Sequence, residues 1–501
     1  MKVIGLGGGR PHARRVAHMS AMVGLLIAGM SAAALAAEPD PAAKPSEPAA
    51  TSEPAGGLFE QGLAAPASAP KATEASAADL FKVNGYTRGD VFVGKIAGAA
   101  RGTVRAAYGE GSLTLRTAKG EHGDGFVEAR VRTGQQGEEQ RTFLDVREAY
   151  VNAYFGPVDL RLGQQIIVWG RADAFNPTNN LTPVDFRIRS PLEDDIRVGN
   201  VGARSFLRFA PFRLEAVWIP IYQPTQLPLI GLPKFVSYGP TLIPSPDIPN
   251  GLGAGRLHLE LPGVELSVSY LQGYAPLPGL TITGLTLTGA TDPPPSVVVS
   301  RTPYRHNVVG MDFSTAIGDL LTIRGEAAYR RPVEANKMYV PRPDVQYVLG
   351  ADHTFGSVSV IAQYMGRYVF DWQRENGPAM ALDPNILTTL DSSFKDTVAD
   401  RINVVLAKTN QILFSQTAQL QHLATLRAEW LGAHEALSIS ALAMVNFTTQ
   451  EWLFTPRIGY RVSDQMTTYV GAQIFHGPDD TLFGLIENEL SAGYAELRYT
   501  F

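Results

Sequence analysis

The sequence predicts an all-β fold: a transmembrane antiparallel β-barrel of about 18 strands, 16 being the neighbouring even count, with long extracellular loops at one end. Three observations predict it. Apolar and charged residues alternate with period two from Phe81 onward, the connections fall into a tight kind and a long kind, and no apolar run of the mature region is long enough for a membrane-crossing helix. The alternation is plain at Leu214, Ala216 and Trp218 against Arg213 and Glu215, and at Leu257, Leu259 and Leu261 against Arg256, His258 and Glu260. It recurs at Ile323, Ala327 and Tyr329 against Arg324, Glu326 and Arg330, and at Leu426, Ala428 and Trp430 against Arg427 and Glu429. Side chains of a strand alternate faces, so each segment has one apolar row and one row holding both charge signs, close enough to pair along and across strands. A soluble sandwich would need a core of matching size. In a barrel the apolar row meets lipid and the charged row lines the lumen.

The chain has 501 residues, a net charge of -5 and no cysteine. A slightly acidic balance without a basic run gives no footing for nucleic acid, and the lack of cysteine removes disulfides, thiolate chemistry and cysteine-ligated metals together. Residues 1–37 read as a signal peptide: Arg10, Arg14 and Arg15 precede an apolar stretch from Met19 to Met30, and Ala34-Leu35-Ala36 offers a small-residue cleavage site. Residues 38–79, rich in Ala, Pro, Ser and Glu, read as a disordered periplasmic linker. Residues 80–501 are then the barrel.

Within it, tight turns are expected at Gly156-Pro157, Ala210-Pro211, Pro262-Gly263, Ile317 to Asp319, Phe355-Gly356, Ala433 to Glu435 and Ser463 to Gln465. Long loops are expected at 170–201, 220–253, 274–304, 332–344, 370–411 and 477–488. The last strand places Phe501, Tyr499, Leu497, Ala495 and Gly493 on one face and Thr500, Arg498, Glu496 and Tyr494 on the other. A terminal Phe with apolar residues at every second position before it resembles the C-terminal strand of bacterial outer-membrane barrels. Outer-membrane lipid and the barrel-assembly machinery are therefore the expected partners, with periplasmic or inner-membrane transport components left open.

The run Glu148-Ala149-Tyr150-Val151, then Gly163-x-Gln165, Trp169-Gly170 and Asn176-Pro177, resembles the hairpin of the DUF1302-type outer-membrane barrels, most strongly over residues 147–187. The chain departs from that pattern at Arg171, where an acidic residue is expected. The resemblance implies an outer-membrane channel associated with hydrophobic or lipid-like molecules, and no catalytic residues. From the residues alone, Asp159, Arg161, Gly163 and Gln165 form one row leading to Trp169, and the next loop carries Arg171, Asp173, Asn176 and Asp185. Such a loop is either a constriction at the outer mouth or a self-satisfied turn with Trp169 in the aromatic girdle.

No enzyme chemistry is legible. None of the nine histidines lies in an H-x-x-x-H pair, and no G-x-S-x-G elbow is present, so neither metal nor cofactor is expected. The lumen and selectivity candidates are Arg161, Gln165, Arg204, Arg208, Arg213, Glu215, Arg324, Glu326, Arg427, Glu429, Glu496 and Arg498, with Arg457 and Arg461 in the same rows. A ladder of guanidiniums selects anions, or else only neutralises lumen carboxylates. The loops at 220–250 and 274–300 are unusually apolar, as loops that pack together, enter the lumen or receive an apolar ligand would be. Ile386, Leu390, Phe394, Val398 and Ile402 recur every fourth residue, predicting an amphipathic helix over 383–408 that acts as a lid or merely packs on the loops. The expected function is a transport barrel for a hydrophobic or amphiphilic solute. Secretion of an anionic polymer such as a polysaccharide, and a plugged structural or adhesive barrel, are the alternatives.

Overall fold

The computed structural model describes residues 81–95, 102–137, 139–227, 236–286, 296–318, 321–377 and 395–501. The signal-peptide and linker readings, and Ile386, Leu390 and Phe394, lie outside the described residues. Eighteen strands, from Phe81–Gly94 to Ala492–Thr500, form one antiparallel sheet. The sheet closes on itself because the first strand pairs with the second and with the last, from Tyr86↔Thr500 to Val93↔Gly493.

Closure with period-two strands fixes which face each residue takes. Leu144, Val151, Val268, Leu349, Ile458, Val470, Leu497 and Tyr499 stand exposed on the outside. Their in-register charged neighbours turn inward: Glu496 is buried and pairs with Arg498 at 2.8 Å. A water-facing surface would not be apolar all the way round the wall, whereas a bilayer requires it and leaves no backbone edge unpaired. No described helix is long and apolar enough to cross a membrane. The wall therefore spans by strands.

All seven tight turns fall at strand junctions. Gly156, for example, sits at φ +64° between Glu139–Phe155 and Val158–Gln165, a conformation that favours glycine. The six long loops lie at the other end, at 166–199, 220–251, 275–304, 333–343, 370–419 and 477–491. Shorter connections also lie there, between Gly94 and Thr103, between Gln136 and Glu139, and between Asn446 and Glu451.

Two helices and a small sheet occupy the long-loop end. Helix α1 spans Lys395–Leu413, ending five residues beyond the 383–408 range expected from the sequence, and α2 spans Leu482–Leu490. The short strands Val236–Tyr238, Gly279–Thr286 and Ser296–Thr302 form a three-stranded sheet. Val398 and Ile402 of α1 are buried with Val236, Leu280, Val297 and Val299 of that sheet, and Leu482 of α2 packs against the cluster. Asn410 binds the backbone of Leu280 through both ends of its amide, at 2.8 and 2.9 Å. The apolar loops thus bury their side chains in one another and in the helix stripe. Because the contributing loops follow the seventh, ninth, thirteenth and seventeenth wall strands, they converge from opposite sides of the ring. The result is a cap over the mouth with its own apolar core.

Candidate functional site

The loop at 166–199 does not stay at the rim. Its chain leaves the strand Val158–Gln165 and runs inward, burying Ile167, Trp169, Ala172, Asp173, Thr178, Asn180, Leu181, Ser190 and Asp195. Its near end grips one side of the wall. Trp169 donates its indole N–H to Glu215 at 2.9 Å, and Arg171 pairs with Asp312 at 2.7 Å and with Glu265. Its far end grips the other side. Asp195, in a 3-10 turn at Glu193–Ile196, accepts from Arg88 and Arg130, both at 2.7 Å. Arg88 and Asp312 belong to the first and tenth of the eighteen wall strands, which face each other across the ring. The loop therefore crosses the lumen as a bar.

Glu326 holds the middle. Its Oε1 accepts the backbone N–H and the hydroxyl of Thr178, both at 2.7 Å, and its Oε2 accepts the N–H groups of Arg171 at 3.0 Å and Ala172 at 3.3 Å. Four donors on one buried carboxylate satisfy loop backbone that would otherwise lie in the lumen without partners. Gly170 makes the approach possible: it sits at φ +107°, and a Cβ there would lie 2.6 Å from Glu326 Oε2. This is the physical content of the Trp169-Gly170 pair. Arg171, the departure from the family pattern, is accommodated because the facing wall supplies two carboxylates.

The loop's remaining contacts follow the same logic. Asp173 accepts from Arg427 at 2.7 Å, and the same guanidinium reaches Glu193 at 3.4 Å. Asn176 is half-buried with an unpartnered amide oxygen, while Asp185 only chelates Arg187 two residues on. Burial alone would push the Asp195 carboxyl up, but Arg88 and Arg130 hold it well below the usual carboxylate range. Trp169 is about 1% exposed, so it belongs to the lumen and not to the aromatic girdle.

Most of the strand candidates line the lumen as pairs. Arg204 meets Glu215 at 2.8 Å, Arg213 meets Glu260 at 2.9 Å, Arg324 meets Asp352 at 3.1 Å, and Arg208 meets Asp159. Gln165 is fully buried and donates to the carbonyl of Gly202. Arg457 stacks on Tyr469, Arg461 is exposed at the turn end, and Glu429 is half-buried in its row. His258 turns to Glu215 at 3.3 Å instead of the neighbouring Glu260. Val398 and Ile402 are in the cap core and not in the lumen.

A second cluster is not read from the sequence: Arg88, Asp90, Glu110, Arg130 and Arg132, gathered round Asp195 and Glu496. Its signal is present, since Arg88 and Asp90, and Arg130 and Arg132, stand two apart as lumen rows do. Glycines and short polar side chains in the strands before Gly156 blur the apolar partner row that would have revealed it.

The family model described as Protein of unknown function (DUF1302) matches residues 63–193. The match contains the 147–187 segment and ends inside the 3-10 turn, so it covers nearly the whole inward loop and bears out the resemblance over this part of the chain. No curated protein matches. Among solved structures, the chain is similar to OccAB3 of Acinetobacter baumannii, with a TM-score of 0.50 at 9% identity over 84% of this chain and 99% of that one. OccAB1 of the same organism gives 0.48 at 9% identity over 84% and 96%. OccK2 (OpdF) of Pseudomonas aeruginosa in complex with glucuronate gives 0.48 at 11% identity over 84% and 97%. The likeness to OccAB3 supports the closed barrel as a fold.

Proposed function

We propose that the chain is an outer-membrane channel passing a hydrophobic or amphiphilic solute, with the inward loop setting the conduction path. The observation that carries this reading is the bar across the lumen, held by buried ion pairs on opposite walls. A barrel that only presents loops outside the cell has no need to build its interior so specifically. The cap adds a second barrier over the mouth, held together by an apolar core of its own. Most lumen guanidiniums named above are already spent on carboxylates, which speaks against a polyanion as cargo.

Planar-bilayer recording of the refolded full chain tests the proposal. Small, steady unitary currents are expected, growing when the loop is released from Glu326. A barrel that stays silent both as wild type and with its loop released is a plugged structural or adhesive barrel, and the transport reading falls.

A further inference from the structure

Arg161 and Arg204 stand directly opposite each other on the paired strands Val158–Gln165 and Asn200–Phe209, both on the lumen row. Like charges in that position repel. Arg204 spends its Nε on Glu215, and Arg161 spends its Nε on the amide oxygen of Asn152 at 2.8 Å, so Arg161 has no carboxylate among the described residues. Two acidic groups of the neighbouring strands are engaged elsewhere: Asp124 accepts from Asn152 and Tyr154, and Glu148 from the N–H of Ile166. Aromatic rings flank the pair on both sides. Arg161 lies 4.0 Å over Tyr150, which stacks on Phe126 at 5.1 Å, and Arg204 lies 4.8 Å over Phe206.

We infer that this stretch of lumen wall, five residues before the inward loop begins, is a subsite for the carboxylate of an amphiphilic or aromatic acid. A planar oxyanion between the two guanidiniums would take the terminal N–H groups that Asn152 and Glu215 leave unused, and would remove the like-charge repulsion. The acid's apolar body would lie along Tyr150 and Phe126 or against Phe206, which share the lumen row with the two arginines. The rings also hold the guanidiniums in place, so little side-chain freedom is lost on binding. The inference rests on the transport reading and narrows its solute from any amphiphile to an acidic one.

Calorimetric titration of the refolded full chain with octanoate, octanol and acetate tests it. Octanoate is expected to bind saturably at one site and more tightly than either partial probe. Arg161→Gln lowers that affinity about tenfold or more, Tyr150→Leu lowers it less, and Arg141→Gln, at an exposed pair with Glu139 on the outer hairpin, leaves it unchanged. Heat-modifiable migration checks that each variant is a closed barrel; should Arg161→Gln fail to assemble, Arg161→Lys, which keeps the charge and loses the fork, replaces it and weakens binding in the same direction. Equal affinity for octanol and octanoate, or octanoate binding indifferent to both Arg161 variants, overturns the subsite. A conducting channel that ignores octanoate refutes this inference alone, whereas octanoate binding by a barrel that never conducts refutes the transport reading alone.

Discussion

Replacing Glu326 by alanine removes the acceptor of four loop donors at once. Hydrogen bonds to a charged, buried acceptor are worth about 1–1.5 kcal/mol each even at the cautious end, so the four sum to about 4–6 kcal/mol. Water entering the vacated space will satisfy part of the freed backbone, leaving about 3 kcal/mol, or roughly a hundredfold in the population of the released middle segment. The ends stay tethered by Trp169 to Glu215 and by Asp195 to Arg88 and Arg130, so the bar should slacken without leaving the lumen. The expected readout is a larger and noisier single-channel conductance, with faster amide exchange at 170–178 and unchanged heat-modifiable migration. Unaltered conductance together with unaltered exchange would show that Glu326 is not what holds the loop.

Four further outcomes are expected. Gly170→Ala forces a side chain against Glu326 at a left-handed backbone position, so it should loosen the same segment in the same assay. Asp195 has a folded pKa below its unfolded value of about 3.9, so its stabilisation is fully present above that value and is lost as pH falls through the folded one. Conductance should accordingly hold steady from neutral down to about pH 4, and Asp195→Asn should show the acid-released behaviour already at pH 7; release of the wild-type loop near pH 6 would contradict the assignment. Deleting Tyr499 to Phe501 removes the mutual backbone bonds of Phe501 and Gly85 and the outer apolar row, and should sharply lower the amount of barrel in the outer-membrane fraction. Replacing 383–413 by a short Gly-Ser linker should open the cap and raise conductance with the wall intact, an unchanged current meaning that α1 packs without gating.

How much of this was legible depends on how local each signal is. Turn residues such as Gly156-Pro157 act within a few positions, and period-two rows act within one strand, so wall, turns and loop lengths could be read without knowing any partner. The apolar stripe of α1 could be seen, and the loops able to cover it could be named, because a stripe must be buried somewhere. The inward path of the loop was not legible: Trp169 is a girdle residue or a lumen residue according to whether Glu215 faces it, and Thr178 finds its acceptor 148 residues away. One hint stood in the rows themselves. Glu326 sits between Arg324 and Arg330, which pair with Asp352 and Asp344, so its charge is not consumed within the wall and points to a donor from elsewhere.

The clamp at Arg88 has a consequence for how the molecule comes together. This guanidinium touches Glu110 of the second strand, Glu496 of the last and Asp195 of the loop. The first and last strands are the neighbours farthest apart along the chain, so the entropy of bringing them together is the largest of any seam and favours zipping it late. The charges that knit that seam are therefore incomplete until the loop has entered. Shutting the cylinder and furnishing its interior become one cooperative event, and a chain whose loop strays outward is left with a poorly sealed joint.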